Sequence, residues 1–210
     1  MLEDPLGLQV FLVRQQTTPL VETWHLHNDV IDMGAGFSES DASRDAVRFI
    51  IASGRKRIGM IGVETTGHRR LIERVNGYRN AMAQIDDPGE RLVLMAPECN
   101  GYKAGAEGLQ HLLKHWPDLD GVFCMTDILA AGVLFECHRM GYKVACEIAV
   151  MGYGNYDIAA EVPPGLSSVQ TPGSFIGEAA ARLLLARLKG DTDVERLQEL
   201  PYKVISRSSV

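Results

Sequence analysis

The sequence has 210 residues, of which 46% are hydrophobic and 23% charged, and its formal net charge at pH 7 is -6. This balance is typical of a globular chain and excludes a disordered one. The chain carries no basic stripe that would form a DNA-binding face, and it contains no signal-peptide pattern and no membrane span. Its cysteines, Cys99, Cys124, Cys137 and Cys146, form no CxxC pair, which favours a reducing, cytoplasmic location.

Strands and helices alternate along most of the chain. Residues 8–13 form an apolar run that is compatible with a strand. From there the patterns predict a strand at 20–24, a strand at 31–36, a helix at 38–53, a strand at 57–62, a helix at 68–85, a strand at 91–95, a helix at 102–116, a strand at 121–125, a helix at 127–140, strands at 148–152 and 166–169, a helix at 173–188 and a strand at 202–206. Several of these strands are apolar on both faces, which indicates an α/β fold with a parallel sheet covered by helices.

Motifs for catalysis and metal binding are missing. The sequence contains no GxSxG, no P-loop, no HExxH and no GxGxxG pattern. His111 and His115 lie four residues apart on a predicted helix, but no third ligand is near them in sequence, and zinc needs at least three. We therefore expect no enzyme activity, no cofactor and no metal. Asp127 is expected to cap the helix that it begins.

Five short motifs occur in a fixed order. They are residues 36–59 around Gly-Phe-Ser-Glu-Ser-Asp, residues 74–79 (Arg-Val-Asn-Gly-Tyr-Arg), residues 117–132 around Met-Thr-Asp-Ile-Leu-Ala-Ala-Gly, residues 148–153 (Ile-Ala-Val-Met-Gly-Tyr) and residues 166–172 (Leu-Ser-Ser-Val-Gln-Thr-Pro). Together they resemble the effector-binding core of the lactose/galactose-repressor family over residues 19–210, and residues 21–24 and 123–127 are most similar to its gluconate-type branch. Ser43 and Arg55 stand where the family usually has a glycine and a histidine.

The resemblance implies a periplasmic-binding-protein-like fold of two Rossmann-like lobes with parallel sheets, in which lobe 1 is incomplete. Residues 1–55 would be the remainder of lobe 1, residues 56–170 lobe 2, and residues 171–210 a crossover helix that returns to lobe 1 followed by the final strand. The DNA-binding headpiece is absent from this scheme, so operator DNA would be reached only through it. The family implies a homodimer or tetramer and no membrane partner.

The same resemblance implies that the chain is the ligand-sensing domain of a transcriptional repressor. The expected effector is a small sugar or a sugar acid such as gluconate. Residues expected to contact the effector, by their match to family positions, are Arg74, Thr126, Asn155, Asn100, Trp24 and Ser38. In an open α/β sheet such residues lie beyond the carboxyl ends of the strands.

Three of these candidates have a plainer alternative. Arg74 could pair with Glu73 or with solvent, Thr126 could simply begin a helix, and Trp24 could be an ordinary core residue. Gly154 stands where sugar-binding relatives usually carry an aspartate. The missing carboxylate favours an anionic effector held by an arginine fork, and the alternative is a neutral ligand bound through Asn100 and Asn155.

Two other functions remain open from sequence. A periplasmic solute-binding protein for a sugar would have the same fold, and only a signal peptide or an upstream helix-turn-helix in the parent gene would separate it from a repressor. A sugar-processing enzyme with a doubly wound fold is disfavoured because its catalytic motifs are missing.

Overall fold

The computed structural model describes residues 18–26, 29–64, 69–85, 89–191 and 193–210. The apolar run at 8–13 lies outside them. The chain divides into two compact units. The first unit comprises residues 1–38 and 172–201, and the second unit comprises residues 39–171 and 202–210.

The second unit is built on a six-stranded sheet with the order β4-β3-β5-β6-β7-β9. Its strands are β3 (Ile58–Val63), β4 (Leu92–Met95), β5 (Gly121–Cys124), β6 (Ala149–Gly154), β7 (Ser167–Gln170) and β9 (Lys203–Ile205). All neighbouring pairs are parallel except β7 and β9, which run antiparallel. Strands β3 and β5 are buried at every position, as expected for strands covered on both faces.

Helices of the second unit are α1 (Glu39–Ala52), α2 (Arg69–Met82), α3 (Tyr102–His115), α4 (Asp127–Met140) and the short α5 (Asp157–Glu161). Glycines let the longer helices approach each other closely. A Cβ at Gly77 of α2 would lie 2.2 Å from the Ser40 carbonyl oxygen of α1, and a Cβ at Gly132 of α4 would lie 2.0 Å from the Tyr102 carbonyl oxygen of α3. Only a residue without a side chain fits at these crossings.

The first unit has a three-stranded sheet in the order β1-β2-β8. Its strands are β1 (Val21–His25), β2 (Met33–Phe37) and β8 (Leu197–Glu199), and both pairings are parallel. Helix α6 (Gly173–Leu188) packs Ala179 and Leu183 against Met33 and Ala35 of β2. Parallel neighbours require helical crossovers, which explains the alternation seen in the sequence.

The α/β fold with predominantly parallel sheets is confirmed. The expected boundary was at residue 55, whereas the division between the units falls after Ser38. Helix α1 lies in the second unit, where it buries Ala42, Ala46 and Ile50 and crosses α2 at Gly77. Strand β8 and helix α5 were not predicted, since segments of three and five residues carry no readable periodicity.

Candidate functional site

The carboxyl ends of the parallel strands in the second unit gather several of the predicted residues. Thr126 follows β5 and Asn155 follows β6, and these two strands are neighbours in the sheet. Arg74 reaches the same place from α2, because its Nη1 donates a 2.8 Å hydrogen bond to the carbonyl oxygen of Met125. Asn100 is exposed in the connection between β4 and α3, two strand positions from β5.

Arg74 is bound on two sides by buried groups. Its Nε and Nη2 donate to the Glu39 carboxylate, at 2.7 Å to Oε2 and 3.3 Å to Oε1. The Tyr153 hydroxyl also donates to Glu39 Oε2, at 2.6 Å, and the Arg74 guanidinium carbon lies 4.0 Å from the centre of the Tyr153 ring. A bidentate ion pair and a cation–π contact therefore fix the orientation of this guanidinium.

The environment of this cluster stabilises the charges within it. Burial alone would lower the pKa of Arg74, but the Glu39 carboxylate and Tyr153 outweigh it and raise that pKa above its usual value. Burial raises the pKa of Tyr153 well above the usual range for a phenol, so its hydroxyl stays protonated and donates to Glu39. Sequence analysis did not single out Glu39 or Tyr153, although both lie within the quoted motifs.

The plainer alternative for Arg74, a pairing with Glu73 or with solvent, is therefore wrong, since the arginine pairs with Glu39. The hydrogen bonds to Glu39 and Met125 use three of the five N–H groups of the guanidinium. The remaining donors are on the two Nη atoms.

Thr126, and not Asp127, caps the start of α4. Thr126 is the N-cap, and its Oγ1 accepts from the Leu129 N–H at 3.3 Å. Asp127 does not cap the helix, which corrects our expectation. Its carboxylate is fully buried and points toward β7, where Oδ1 accepts from Ser168 Oγ at 2.5 Å and Oδ2 accepts from the Tyr156 N–H at 2.7 Å. Burial raises the pKa of Asp127, and these hydrogen bonds partly oppose that rise.

Asn155 is held in an unusual conformation next to this carboxylate. Its φ is 52°, its N–H donates to Ser168 Oγ at 3.0 Å, and its Oδ1 accepts from Arg207 Nη2 at 2.7 Å. Arg207, which lies beyond β9, was not anticipated as part of the site. No pattern in a single sequence pairs Asn155 with a residue so far along the chain.

Gly154 has a conformational reason to be glycine. Its φ is 125°, which L side chains rarely adopt, and an added Cβ would lie 3.0 Å from the Tyr156 ring. The absence of an aspartate here therefore follows from the backbone, whatever the charge of the ligand. This finding weakens the inference of an anionic effector that was drawn from Gly154 alone.

In the first unit, Trp24 and Ser38 lie at the carboxyl ends of β1 and β2. Trp24 has a φ of 79° and is 36% exposed, so it is not an ordinary core residue. Its register partner is Gly36, where a Cβ would lie 2.3 Å from the Trp24 carbonyl oxygen. Ser38 follows β2 directly and is partly buried.

Within the described residues, no group of three or more His, Cys, Asp or Glu side chains is placed to hold a metal ion. His115 Nδ1 lies 2.9 Å from the carbonyl oxygen of His111, within its own helix. None of the helices described is long and apolar enough to cross a membrane.

Comparison with known proteins agrees with this architecture. Residues 47–210 match the family model of the periplasmic binding protein-like domain. The HTH-type transcriptional regulator GntR of Escherichia coli K12 is 32% identical over 192 residues, covering 91% of this chain and 57% of the relative. IdnR, an HTH-type transcriptional regulator of the same strain, is 29% identical over 195 residues, covering 93% of this chain and 58% of the relative. The chain thus spans less than two thirds of the length of these relatives.

Solved structures give the same result. The crystal structure of the transcription regulator GntR from Chromobacterium violaceum superposes with a TM-score of 0.87 at 31% identity, covering 98% of this chain and 74% of that one. A transcriptional regulator CelR–cellobiose complex superposes with a TM-score of 0.77 at 25% identity, covering 91% of this chain and 59% of that one. The chain belongs to the periplasmic-binding-protein-like family, as an effector-binding domain of the LacI family of transcriptional regulators.

Proposed function

We propose that this chain senses a small sugar or sugar acid, with gluconate as the model effector, for a transcriptional repressor. The observation that carries the proposal is the fixed guanidinium of Arg74 at the carboxyl end of β5, with donors left on both Nη atoms. Thr126 and Asn155 line the same edge of the sheet. One structural relative, CelR, is described in complex with cellobiose, which supports sugars as the ligand class.

The charge of the effector is the finer part of the proposal. A carboxylate would accept from the Nη donors of Arg74, and charge-assisted bidentate contacts of this kind are among the strongest in proteins. Glu39 already balances the charge of Arg74, so a carboxylate effector would share this arginine with Glu39. A neutral sugar would use its hydroxyl oxygens instead and leave the ion pair intact.

Calorimetry with the wild-type chain separates these outcomes. Gluconate, glucose, ribose and cellobiose are titrated in parallel, and we expect heat of binding for gluconate with weaker or absent binding of glucose and ribose. Tight binding of a neutral sugar would reject the sugar-acid form of the proposal and keep the sugar-sensing function. Binding of none of these compounds would count against the function itself.

Regulation of DNA binding is proposed for the full-length protein only. We infer that the present chain reports effector binding to a helix-turn-helix headpiece in the cytoplasm, because its family members are transcription regulators. The chain has a net charge of -6 and no basic stripe, so it is not expected to hold operator DNA by itself. A mobility-shift assay should show no sequence-dependent binding by this chain. A solute-binding role for a transporter would instead predict a signal peptide in the parent gene.

Self-association is also proposed, through the outer face of α3 and α4. Tyr102, Ile128 and Phe135 are 47%, 37% and 40% exposed there, and the Tyr102 and Phe135 ring centres lie 5.8 Å apart. Lys103 and Glu107 flank these apolar residues and supply both signs of charge. A patch of this kind can pair with its own copy around a twofold axis.

Sedimentation of the wild type and of Phe135→Glu tests this surface. We expect a dimer or tetramer for the wild type and a shift toward monomer for the variant. Leu185→Glu is the control, since Leu185 is 56% exposed on α6 of the first unit. A wild type that stays monomeric at high concentration would reject the proposal.

A further inference from the structure

A buried carboxylate holds the backbone that follows β6. Asp127 Oδ2 accepts the N–H of Tyr156, and Asp127 Oδ1 accepts the hydroxyl of Ser168. The Ser168 oxygen in turn accepts the N–H of Asn155, at 3.0 Å. Two consecutive backbone N–H groups are thus fixed by one carboxylate, one directly and one through a serine. We call residues 154–156 the β6 loop.

The β6 loop needs such support because a non-glycine residue within it, Asn155, has a left-handed backbone conformation. Gly154 and Asn155 have φ values of 125° and 52°, both outside the regions that most residues prefer. Conformations of this kind cost of order 1–3 kcal/mol each for non-glycine residues and persist only where the surroundings enforce them. Because Asn155 is itself a candidate effector contact, its left-handed conformation points to a role in preorganising the site.

The surrounding strands are shaped to admit the carboxylate. A Cβ at Gly152 of β6 would lie 2.2 Å from Asp127 Oδ1, so only glycine leaves room for Asp127 under the loop. Asp127 and Ser168 are both fully buried. Burying a charged group is costly unless it is hydrogen-bonded, so the buried Asp127 carboxylate depends on the hydrogen bonds that it accepts.

The C-terminal segment secures the side chain of Asn155. Arg207 Nη2 donates to Asn155 Oδ1 at 2.7 Å, and Arg207 Nη1 donates to the Leu166 carbonyl oxygen at 2.6 Å. Ser167 and Ser209 fix this segment to the sheet: the Ser167 N–H donates to Ser209 Oγ at 2.8 Å, and Ser167 Oγ donates to the Arg207 carbonyl oxygen at 3.1 Å. With its carbonyl oxygen engaged by Arg207, the Asn155 side chain retains the two N–H groups of its amide as donors for a ligand.

We propose that Asp127 and Ser168 are positioning residues that preset the β6 loop for the effector, with Asn155 presented as a hydrogen-bond donor. The inference rests on the proposed function, because it takes Asn155 as an effector contact. Neither Asp127 nor Ser168 is required to touch the effector. A loop fixed before binding loses less conformational entropy on binding, so the effector gains affinity without any added contact.

The test combines amide exchange with affinity in the 210-residue chain. Ser168→Ala removes the acceptor of the Asn155 N–H, and Asp127→Asn keeps the shape of the side chain while removing its charge. Ser43→Ala is the matched control, since Ser43 is also fully buried in the second unit and its hydroxyl has no hydrogen-bond partner among the described residues. Hydrogen exchange is read at the amides of Asn155 and Tyr156 without ligand, and gluconate and glucose are titrated by calorimetry.

We expect Ser168→Ala and Asp127→Asn to speed exchange at the Asn155 and Tyr156 amides and leave the amides of β3 and β5 unchanged. The affinity for the bound probe should fall about tenfold, the loss expected from one buried hydrogen bond to a charged group. Ser43→Ala should change neither quantity. The local exchange readout separates positioning from a general loss of stability, which would speed exchange throughout the sheet.

Unchanged exchange at Asn155 and Tyr156 in both variants would overturn the proposal. Faster exchange with unchanged affinity would overturn it as well, because the β6 loop would then not belong to the effector site. If the wild type bound neither probe, the effector named in the proposed function would be wrong. The exchange data would still decide whether Asp127 and Ser168 hold the β6 loop.

Discussion

Arg74 and Glu39 form a bidentate ion pair in which the glutamate side chain is fully buried and the arginine side chain is 11% exposed. The pair links the first turn of α1 to the middle of α2. Through the Met125 carbonyl oxygen, Arg74 also contacts the carboxyl end of β5. One residue thus joins three elements at the edge of the sheet where a ligand is expected, and a contact with the effector would add to this structural role.

Breaking this pair should cost far more than exchanging it for neutral groups. Arg74→Ala leaves the Glu39 carboxylate buried without its cation, and losses of about 3–5 kcal/mol are typical of such cases. The double variant Glu39→Gln/Arg74→Met removes both charges and should recover most of that loss. Urea unfolding monitored by circular dichroism measures both. A single variant as stable as the wild type would show that the pair is not buried in solution.

The crossing of α1 and α2 should tolerate no side chain at Gly77. Gly77→Ala places a Cβ against the Ser40 carbonyl oxygen, so the helices must separate, and we expect a loss of about 1–3 kcal/mol. Gly177→Ala is the control, because Gly177 lies inside helix α6 and nothing lies within 4 Å of its added Cβ. The free energies of unfolding are compared in urea. Equal stability of the two variants would contradict the close crossing.

Substitutions at Gly154 should reveal whether its backbone or its missing charge matters. Both Gly154→Ala and Gly154→Asp must adopt a φ of 125°, so we expect similar destabilisation of about 1–3 kcal/mol for the two. Thermal unfolding compares them. If Gly154→Ala were harmless and only Gly154→Asp destabilising, carboxylate repulsion would be the cause and the conformational explanation would be wrong.

Local patterns predicted much of the fold. Helix α6 begins at Gly173 and ends at Leu188, as its apolar spacing and the following glycine indicate. The observed ends of the strands differ from the predicted ends by a few residues. Strand β8 was not predicted because its three residues pair only with β2. Short strands of this kind are stabilised by the strands beside them, so the spacing of their own residues does not reveal them.

The site was predicted only in part, and for a related reason. Thr126 and Asn155 were expected at the site from their match to family positions, and both lie just beyond the carboxyl ends of strands. The partners that orient the site come from far along the chain: Glu39 lies 35 residues from Arg74, and Arg207 lies 52 residues from Asn155. Pairings of this kind depend on the tertiary fold, so a single sequence does not reveal them.

The central claim is that Arg74 at this edge of the sheet binds a sugar acid, and titration calorimetry of Arg74 variants with gluconate tests it most directly. Glu39→Gln/Arg74→Met serves as the charge-neutral variant, and Arg79→Ala is the control, because Arg79 lies on the same helix with a half-exposed side chain paired to Glu90. We predict that Glu39→Gln/Arg74→Met loses at least about 30-fold in affinity for gluconate, equivalent to roughly 2 kcal/mol. Arg79→Ala should bind gluconate as the wild type does. A folded Arg74 variant that binds gluconate normally would contradict the account.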